Sequence, residues 1–270
     1  MARRHLLVSL AVVFATAALS ADTPIEQGYS DMYNLQFDDA HRAFASYEKM
    51  RPDDPLGPVS DAAACLFSEF DRLHILQSEF FLNNKSVLSS EKRKPDPLIR
   101  ARFNKDLDET QRLAALQMQI PSERANAMFA ETLRLGLHAD YLALIDKNDF
   151  AALADIKKAR DIAERLLSEN PKYYDAYIAG GVENYLLSLK PAPLRWVLRV
   201  SGAQVDKQSG LEKLRLTAAH GHYLMPYARL LLAVAALRDG DRTTARSLLG
   251  SLAVQFPQNS LYREELAKLH

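Results

Sequence analysis

The sequence predicts an all-α protein in which antiparallel helical hairpins stack side by side as an α-solenoid with some irregular, longer helices. Apolar residues recur at spacings of three and four along most of the chain, which is the spacing of one helix face. Glycine is sparse, at 10 of 270 residues, whereas alanine and leucine are abundant, and this favours helices over tightly turned strands. Short turns interrupt the helical pattern repeatedly, so neighbouring helices should pack antiparallel.

The first 21 residues have the organisation of a secretory signal peptide. Arg3 and Arg4 precede an uncharged apolar run over 6–19, and the small residues Ser20 and Ala21 follow. The run falls short of the ~20 residues that a membrane-spanning helix needs, so we expect cleavage after Ser20 or Ala21. The protein is therefore expected to be exported to the periplasm or another extracytoplasmic space. A retained membrane anchor and export by the twin-arginine route are the alternatives.

Composition argues against several classes of function. The chain has 34 basic and 34 acidic residues, and loss of Arg3 and Arg4 with the signal leaves 32 against 34. Nucleic-acid binding needs a basic surface, so no nucleic-acid partner is expected. Cys65 is the only cysteine and excludes an intramolecular disulfide. It is interpreted as a small core residue.

The N-terminal part, 22–82, is predicted to form helical hairpins after a short lead. Apolar residues at helical spacing on both sides of 35–38 indicate two helices joined by a turn. Prolines at 52, 55 and 58 end this pair, and a further helix is predicted over 59–81. Residues 83–97 combine asparagine, serine, charge and two prolines, which predicts a loop.

The C-terminal part, 98–270, is predicted to continue the alternation of helix and turn. One helix is expected over 98–119, and a second over 122–145 with Ser122 as its N-cap. A tight turn at 147–149 follows, and Asp149 is expected to cap a helix over 150–168 that ends at Asn170 and Pro171. The final unit, 227–256, carries too much apolar surface to be an appendage.

Three segments share one spacing between a small residue and a proline. Ala40 and Pro52, Ala159 and Pro171, and Ala245 and Pro257 are equally far apart. This is the frame of the tetratricopeptide repeat (TPR), in which small residues occupy the crossing of two helices and a proline ends the second helix. The three prolines are not whole multiples of 34 residues apart, so longer helices or insertions are expected. An irregular helical bundle is the alternative.

The segments 173–187, 193–199 and 206–214 resemble a group of exported bacterial tetratricopeptide-repeat proteins. The first contains Tyr-Tyr-Asp-Ala-Tyr followed by Gly-Gly and Asn-Tyr, and the second contains Leu-Arg-Trp-Val-Leu-Arg. The resemblance extends from about Pro97 to the C-terminus. It implies a helical-repeat fold and a protein-interaction role, and it implies no catalytic residues.

Tyrosines and one amide supply the candidate binding site. In helical repeats of this kind the first helices line a concave groove, and their aromatic and amide groups hold peptide segments. Tyr141, Tyr174, Tyr177 and Asn184 are therefore predicted to line a peptide-binding groove. The protein would then be a scaffold with a protein or peptide partner. Tyrosines that only fill space between helices are the alternative.

The sequence contains no recognisable catalytic or metal-binding motif. The sequence has no metalloprotease, phosphate-loop or nucleophile-elbow motif, so an enzyme is not expected, nor a cofactor or a metal ion. The pair His220 and His222 is interpreted as part of a helix end. As an alternative function we consider a small-ligand receptor or enzyme with a pocket lined by His138, Tyr141 and the 173–185 helix.

The segment 194–200 combines a basic and an aromatic character. Arg195 and Arg199 flank Trp196, Val197 and Leu198, after two prolines. Packing of the tryptophan between repeats is the favoured interpretation. Contact of Arg195, Trp196 and Arg199 with a membrane surface is the alternative.

Overall fold

A computed structural model of the protein describes residues 23–76, 94–189, 200 and 202–269. These residues form eleven α-helices and short connections, which confirms the all-α prediction. The helices are α1 (Pro24–Tyr33), α2 (Phe37–Met50), α3 (Leu56–Arg72), α4 (Pro97–Gln117), α5 (Arg124–Asp140), α6 (Asp149–Glu169), α7 (Tyr177–Ser188), α8 (Lys207–His220), α9 (Met225–Arg238), α10 (Arg242–Gln255) and α11 (Ser260–Ala267). None of the described helices is both long enough and apolar enough to cross a membrane.

Helices that follow each other in the sequence pack against each other. Contacts join α1 to α2, α2 to α3, α3 to α4, and so on through α11, with α6 followed by α7 and α7 by α8. Helices two apart in the sequence also meet, since α3 contacts both α1 and α5. The protein is therefore a sequence of adjacent helix pairs. The predicted signal peptide and most of the predicted 83–97 loop lie outside the described residues.

The helices that were predicted to end at Pro52, Pro171 and Pro257 all end through the same local conformation. The residue before each proline has φ between −124° and −139° and ψ between 70° and 84°. A proline disfavours helical backbone in the residue that precedes it, so each helix stops there. The next turn closes in the same way each time, with backbone hydrogen bonds Asp54 to Arg51, Tyr173 to Asn170 and Asn259 to Phe256. One helix-ending turn thus occurs three times in this chain.

Small residues on these helices are buried in the interior. Ala40, Ala159 and Ala245 are all buried, as the repeat pattern predicts. On α1, the position of Gly28 leaves no room for a side chain, because an added Cβ would lie 2.3 Å from the ring of Phe44. The crossing of α1 and α2 depends on that absent side chain.

Several predicted helix ends differ from the observed ones. Helix α5 begins at Arg124 and not at Ser122, whose hydroxyl interacts with the Glu123 side chain and caps no backbone N–H. Helix α6 is capped by Asn148, whose Oδ1 accepts from the N–H of Ala151, and not by Asp149. The turn before α6, in which Lys147 has a positive φ of 58°, determines that Asn148 is the capping residue.

Three further boundaries differ from the prediction. The helix predicted over 59–81 begins at Leu56 and ends at Arg72. The helix predicted over 122–145 changes at Tyr141–Ile145 into a π-helical turn with wider hydrogen bonding. Helix α4 begins at Pro97, one residue earlier than predicted, because the Asp96 carboxylate caps the N–H of Leu98 at 2.8 Å. Proline suits this first helical position, since it lacks the N–H that would otherwise be unpaired.

The first helix closes onto the C-terminal hairpins. The Tyr33 hydroxyl donates to the carbonyl of Tyr223 at 3.0 Å, and the Asn259 amide donates to the carbonyl of Tyr33 at 2.9 Å. The ring of Tyr29 stacks on Tyr223 with centroids 4.8 Å apart, and Tyr33 packs on Phe256 at 5.3 Å. Residues about 190 to 226 positions apart in the sequence thereby meet. The helices form a closed arrangement with an interior, which the sequence pattern did not predict.

Candidate functional site

A cavity of about 90 Å³ lies in that interior. Residues from α1, α3, α5, α6, α7 and α9 line it, together with Leu224 just before α9. Most of the lining is aliphatic or aromatic. One water molecule needs about 10 to 15 Å³ of such volume. The cavity therefore has room for several water molecules or for a short apolar chain.

A combination of small and large side chains creates this space. Gly136, Ala159 and Ala179 lie on α5, α6 and α7 and contribute almost no volume, whereas the rings of Phe67 and Tyr227 lie on other sides. A Cβ added at Gly136 would meet no atom within 4 Å. The cavity therefore has open space directly over the backbone of α5.

Most polar groups in the lining are satisfied by the protein itself. The Tyr29 hydroxyl accepts from Ser60 at 3.1 Å, and the Tyr33 hydroxyl donates to the Tyr223 carbonyl. Thr132 donates to the carbonyl of Met128, one turn earlier in α5, at 2.8 Å. Each of these hydroxyls already takes part in a hydrogen bond within the protein.

Asp140 is the one charged residue among the described residues of the lining, and its carboxyl accepts a hydrogen bond from Tyr227. Burial raises the pKa of its carboxyl to about 7, and a hydrogen bond from Tyr227 acts in the opposite direction. Among the described residues no cation contributes to this pKa. The carboxyl therefore changes its charge near neutral pH inside an apolar cavity, where an ionised group without a counter-charge is costly.

Tyr141 lies next to Asp140 in sequence but points elsewhere. Its ring stacks on Phe103 of α4 with centroids 5.0 Å apart, and the Arg100 guanidinium lies 5.4 Å from the ring centre. Tyr141 belongs to a separate apolar cluster between α3, α4 and α5. It does not share a surface with the other predicted groove residues.

Asn184 is buried and fully engaged in local hydrogen bonds. Its Nδ2 donates to the carbonyl of Gly180 at 2.9 Å and to Gln204 at 2.8 Å. Its Oδ1 accepts from the N–H of Asp206 at 3.2 Å and so fixes the chain before α8. These contacts give Asn184 a structural role.

Tyr174 and Tyr177 lie side by side. Their rings stack with centroids 6.4 Å apart, and Tyr174 also packs on His220 at 4.8 Å. Both tyrosines are half-buried. The three rings form a partly accessible aromatic cluster at the start of α7.

The two histidines His138 and His222, which the sequence analysis singled out, lie away from the cavity. His138 faces the outer groove between α5 and α6, where its Nδ1 lies 2.6 Å from Asp155. His222 lies 3.1 Å from Glu26 of α1. The predicted 173–185 helix does line the cavity, through Ile178, Ala179 and Val182, but His138 and Tyr141 do not. Arg195, Trp196 and Arg199 lie outside the described residues.

Sequence reasoning missed Asp140, Gly136 and Tyr227. A signal was present, because Leu133, Gly136, Leu137 and Asp140 fall at the spacing of one helix face. A carboxyl in an otherwise apolar stripe is uncommon unless it has a partner or a function. That this face borders a cavity depends on the positions of the five other helices that line it.

Comparison with protein-family models, with curated proteins and with solved structures gave no match to this chain.

Proposed function

We propose that the protein is a helical ligand-binding module whose central cavity receives the apolar body of a small molecule that carries one amine. The observation that supports this most directly is Asp140, a single carboxyl facing an apolar cavity. Ligand cavities typically combine apolar walls with a few polar groups that fix orientation.

The choice of an amine follows from charge. An ionised Asp140 has no basic partner contributing to its pKa among the described residues. An alkylammonium group would supply the missing counter-charge and hydrogen-bond donors, while its chain displaced water from the apolar walls. A neutral apolar molecule would leave the carboxyl uncompensated above neutral pH.

Filling the cavity should block binding without unfolding the protein. Gly136→Leu places an apolar side chain in space that is open to at least 4 Å from the Cβ. We expect the affinity for hexylamine, measured by isothermal titration calorimetry, to fall at least tenfold. The melting temperature should stay the same or rise, because the change adds helix propensity and buried apolar surface.

The matched control is Gly250→Ala on α10, where an added Cβ also meets nothing but lies away from the cavity lining. This variant should bind hexylamine like the unchanged protein. Equal binding by Gly136→Leu, or no binding by the unchanged protein, would exclude the cavity as the ligand site. If hexanol binds as tightly as hexylamine, Asp140 has no role in recognition.

Replacement of Asp140 by asparagine should stabilise the free protein in a pH-dependent way. The folded-state pKa of about 7 lies above the ordinary value, so the folded protein retains a proton that the unfolded chain has lost. Stability therefore falls as pH rises from about 4 to 7, and Asp140→Asn removes that loss. We expect a gain of about 2 kcal/mol at pH 8 and almost none at pH 4, from urea unfolding.

A pH-independent effect of Asp140→Asn would show that the carboxyl does not carry an uncompensated charge. A loss of stability of Asp140→Asn at pH 8 would lead to the same conclusion about the carboxyl. Asp241→Asn is a suitable comparison for the unfolding experiments, since Asp241 is an exposed residue that caps α10.

We further infer that the hairpins are of the tetratricopeptide type and that the protein acts outside the cytoplasm. The repeated proline turn and the buried alanines at helix crossings support the repeat assignment. The N-terminal sequence pattern supports export. Sequencing the N-terminus of the mature protein tests export, with Ala21 or Asp22 expected as the first residue.

A second function, as a scaffold for a protein or peptide, is favoured by the aromatic cluster of Tyr174, Tyr177 and His220. Partly accessible stacked rings are suited to contacts with a peptide segment. Capture of envelope proteins by the unchanged protein, compared with the Tyr174→Ala and Tyr177→Ala double variant, tests it. A partner retained equally by both proteins does not use this surface.

A further inference from the structure

A polar cluster is buried between α2, α3 and α4, away from the central cavity. His41 lies on α2, Asp61 and Cys65 lie one turn apart on α3, and Arg102 and Asp106 lie one turn apart on α4. The Nδ1 of His41 is 2.6 Å from the Asp61 carboxylate. Arg102 reaches the same carboxylate with two hydrogen bonds, of 2.7 and 2.9 Å.

The donor atoms of this cluster are those of a zinc site. One nitrogen of His41, one oxygen of Asp61 and the sulfur of Cys65 all lie within 4.8 Å of one another. Imidazole, carboxylate and thiolate are the ligands that zinc uses, at about 2.0 to 2.3 Å from the metal. Binding of one ion would draw these three atoms closer together by rotation of their side chains.

An independent feature also points to a ligand. One carboxylate oxygen of Asp106, Oδ2, is buried and accepts no hydrogen bond from the described residues. The Arg102 Nε lies 3.9 Å from this oxygen, and the Asp106 carboxyl is hydrogen-bonded to Asp61. A buried carboxyl beside a second carboxylate is relieved by a divalent cation between them.

We propose that His41, Asp61 and Cys65 bind one divalent transition-metal ion, with zinc the best match to the donor set. The fourth position of a tetrahedral site falls to water or to the Asp106 carboxyl, which adjoins Asp61. The ion would hold α2 and α3 together, so the site has a structural role at the N-terminal hairpins.

Charge balance and access are compatible with this site. Two carboxylates and one thiolate carry three negative charges, which a divalent ion and Arg102 together neutralise. The Arg102 side chain, which is 45% exposed, can keep its hydrogen bond to the Oδ2 of Asp61 while the ion binds the other oxygen. His41 is half-buried at the edge of the cluster and marks the route of entry.

A role of Cys65 as a nucleophile fits the structure less well. The residue is 1% exposed, and burial together with Asp61 raises the pKa of its thiol. A catalytic cysteine requires a lowered pKa and access for a substrate. A metal ion lowers the thiol pKa upon binding, because the thiolate is the coordinating form.

Cobalt(II) is the appropriate probe, because its coordination by sulfur gives a thiolate charge-transfer absorption in the near ultraviolet. Cys65 is the only cysteine of the chain, so such absorption identifies it as a ligand. We expect absorption that saturates at one cobalt per protein and disappears when zinc is added. Zinc should also raise the melting temperature of the full chain.

Cys65→Ala should abolish the charge-transfer absorption, and His41→Gln should lower cobalt affinity by at least tenfold. His138→Gln is the matched control, since His138 and Asp155 form a pair with the same 2.6 Å separation but without a thiol. Circular dichroism establishes that each variant is folded. Absence of the absorption in the unchanged protein, or unchanged cobalt affinity in folded His41→Gln, would overturn the proposal.

Discussion

Removal of residues 227–270 is expected to abolish cooperative folding of the whole chain. This part contains α9, α10 and α11, and its loss removes the contacts of Tyr33 with Phe256 and Asn259. Burying even five large apolar side chains contributes ~10 kcal/mol before opposing terms, which is comparable to the net stability of a domain. We expect the truncated protein to aggregate or to melt without a cooperative transition in circular dichroism.

A single substitution in the same region should have nearly the same effect. Ala245 of α10 is fully buried at a helix crossing, and Ala245→Asp places a carboxylate where neither water nor a cation compensates it. Val254→Asp on the same helix is the control, because Val254 is 83% exposed. Full helicity and a cooperative melt of the truncated protein would show that the C-terminal hairpins are not part of the packed structure.

Substitution of Gly210 by alanine is expected to cost about 3 kcal/mol of unfolding free energy. On α8, an added Cβ at this position would lie 2.6 Å from the backbone nitrogen of Tyr185 and 3.0 Å from the carbonyl oxygen of Gly181. Both obstructing atoms belong to the backbone of α7, so the helices themselves must separate. The cost should exceed the gain of up to about 1 kcal/mol that alanine provides in a helix.

The control is again Gly250→Ala, at a position where an added Cβ meets nothing within 4 Å. There the propensity gain is unopposed, so the variant should be more stable than the unchanged protein by up to about 1 kcal/mol. Urea unfolding of the two variants measures the contrast. If Gly210→Ala proves as stable as Gly250→Ala, then α7 and α8 do not approach as closely as the structure indicates.

The sequence predicted those features of the helices that depend only on residues close to each other in the chain. The turn after α1, the helix ends at Pro52, Pro171 and Pro257, and the buried positions of Ala40 and Ala245 follow from residue type alone. Caps were less predictable, since Asn148 and Asp149 are both good capping residues. The positive φ at Lys147 decided between them.

The candidate sites were only partly predictable. Tyr174 and Tyr177 are neighbours on one helix turn, so their stacking needs no distant contact. Tyr141 and Asn184 were placed beside them by the repeat frame, but Tyr141 packs on α4 and Asn184 holds the chain before α8. The spacing of residues in the sequence indicates which face of a helix a side chain occupies. Which other helix packs against that face depends on how the helices are stacked.

The sequence by itself determined that this protein is built of helices, where most of them end, and which small residues lie at their crossings. These properties depend on interactions over a few residues, such as hydrogen bonding within a turn and the restriction before proline. Only the tertiary structure decided that α1 packs against α9, α10 and α11, that Asp140 faces a cavity, and that His41, Asp61 and Cys65 meet. The physical reason is that small rotations between successive helix pairs accumulate along the chain, and their sum, which no local pattern specifies, determines which distant surfaces come together.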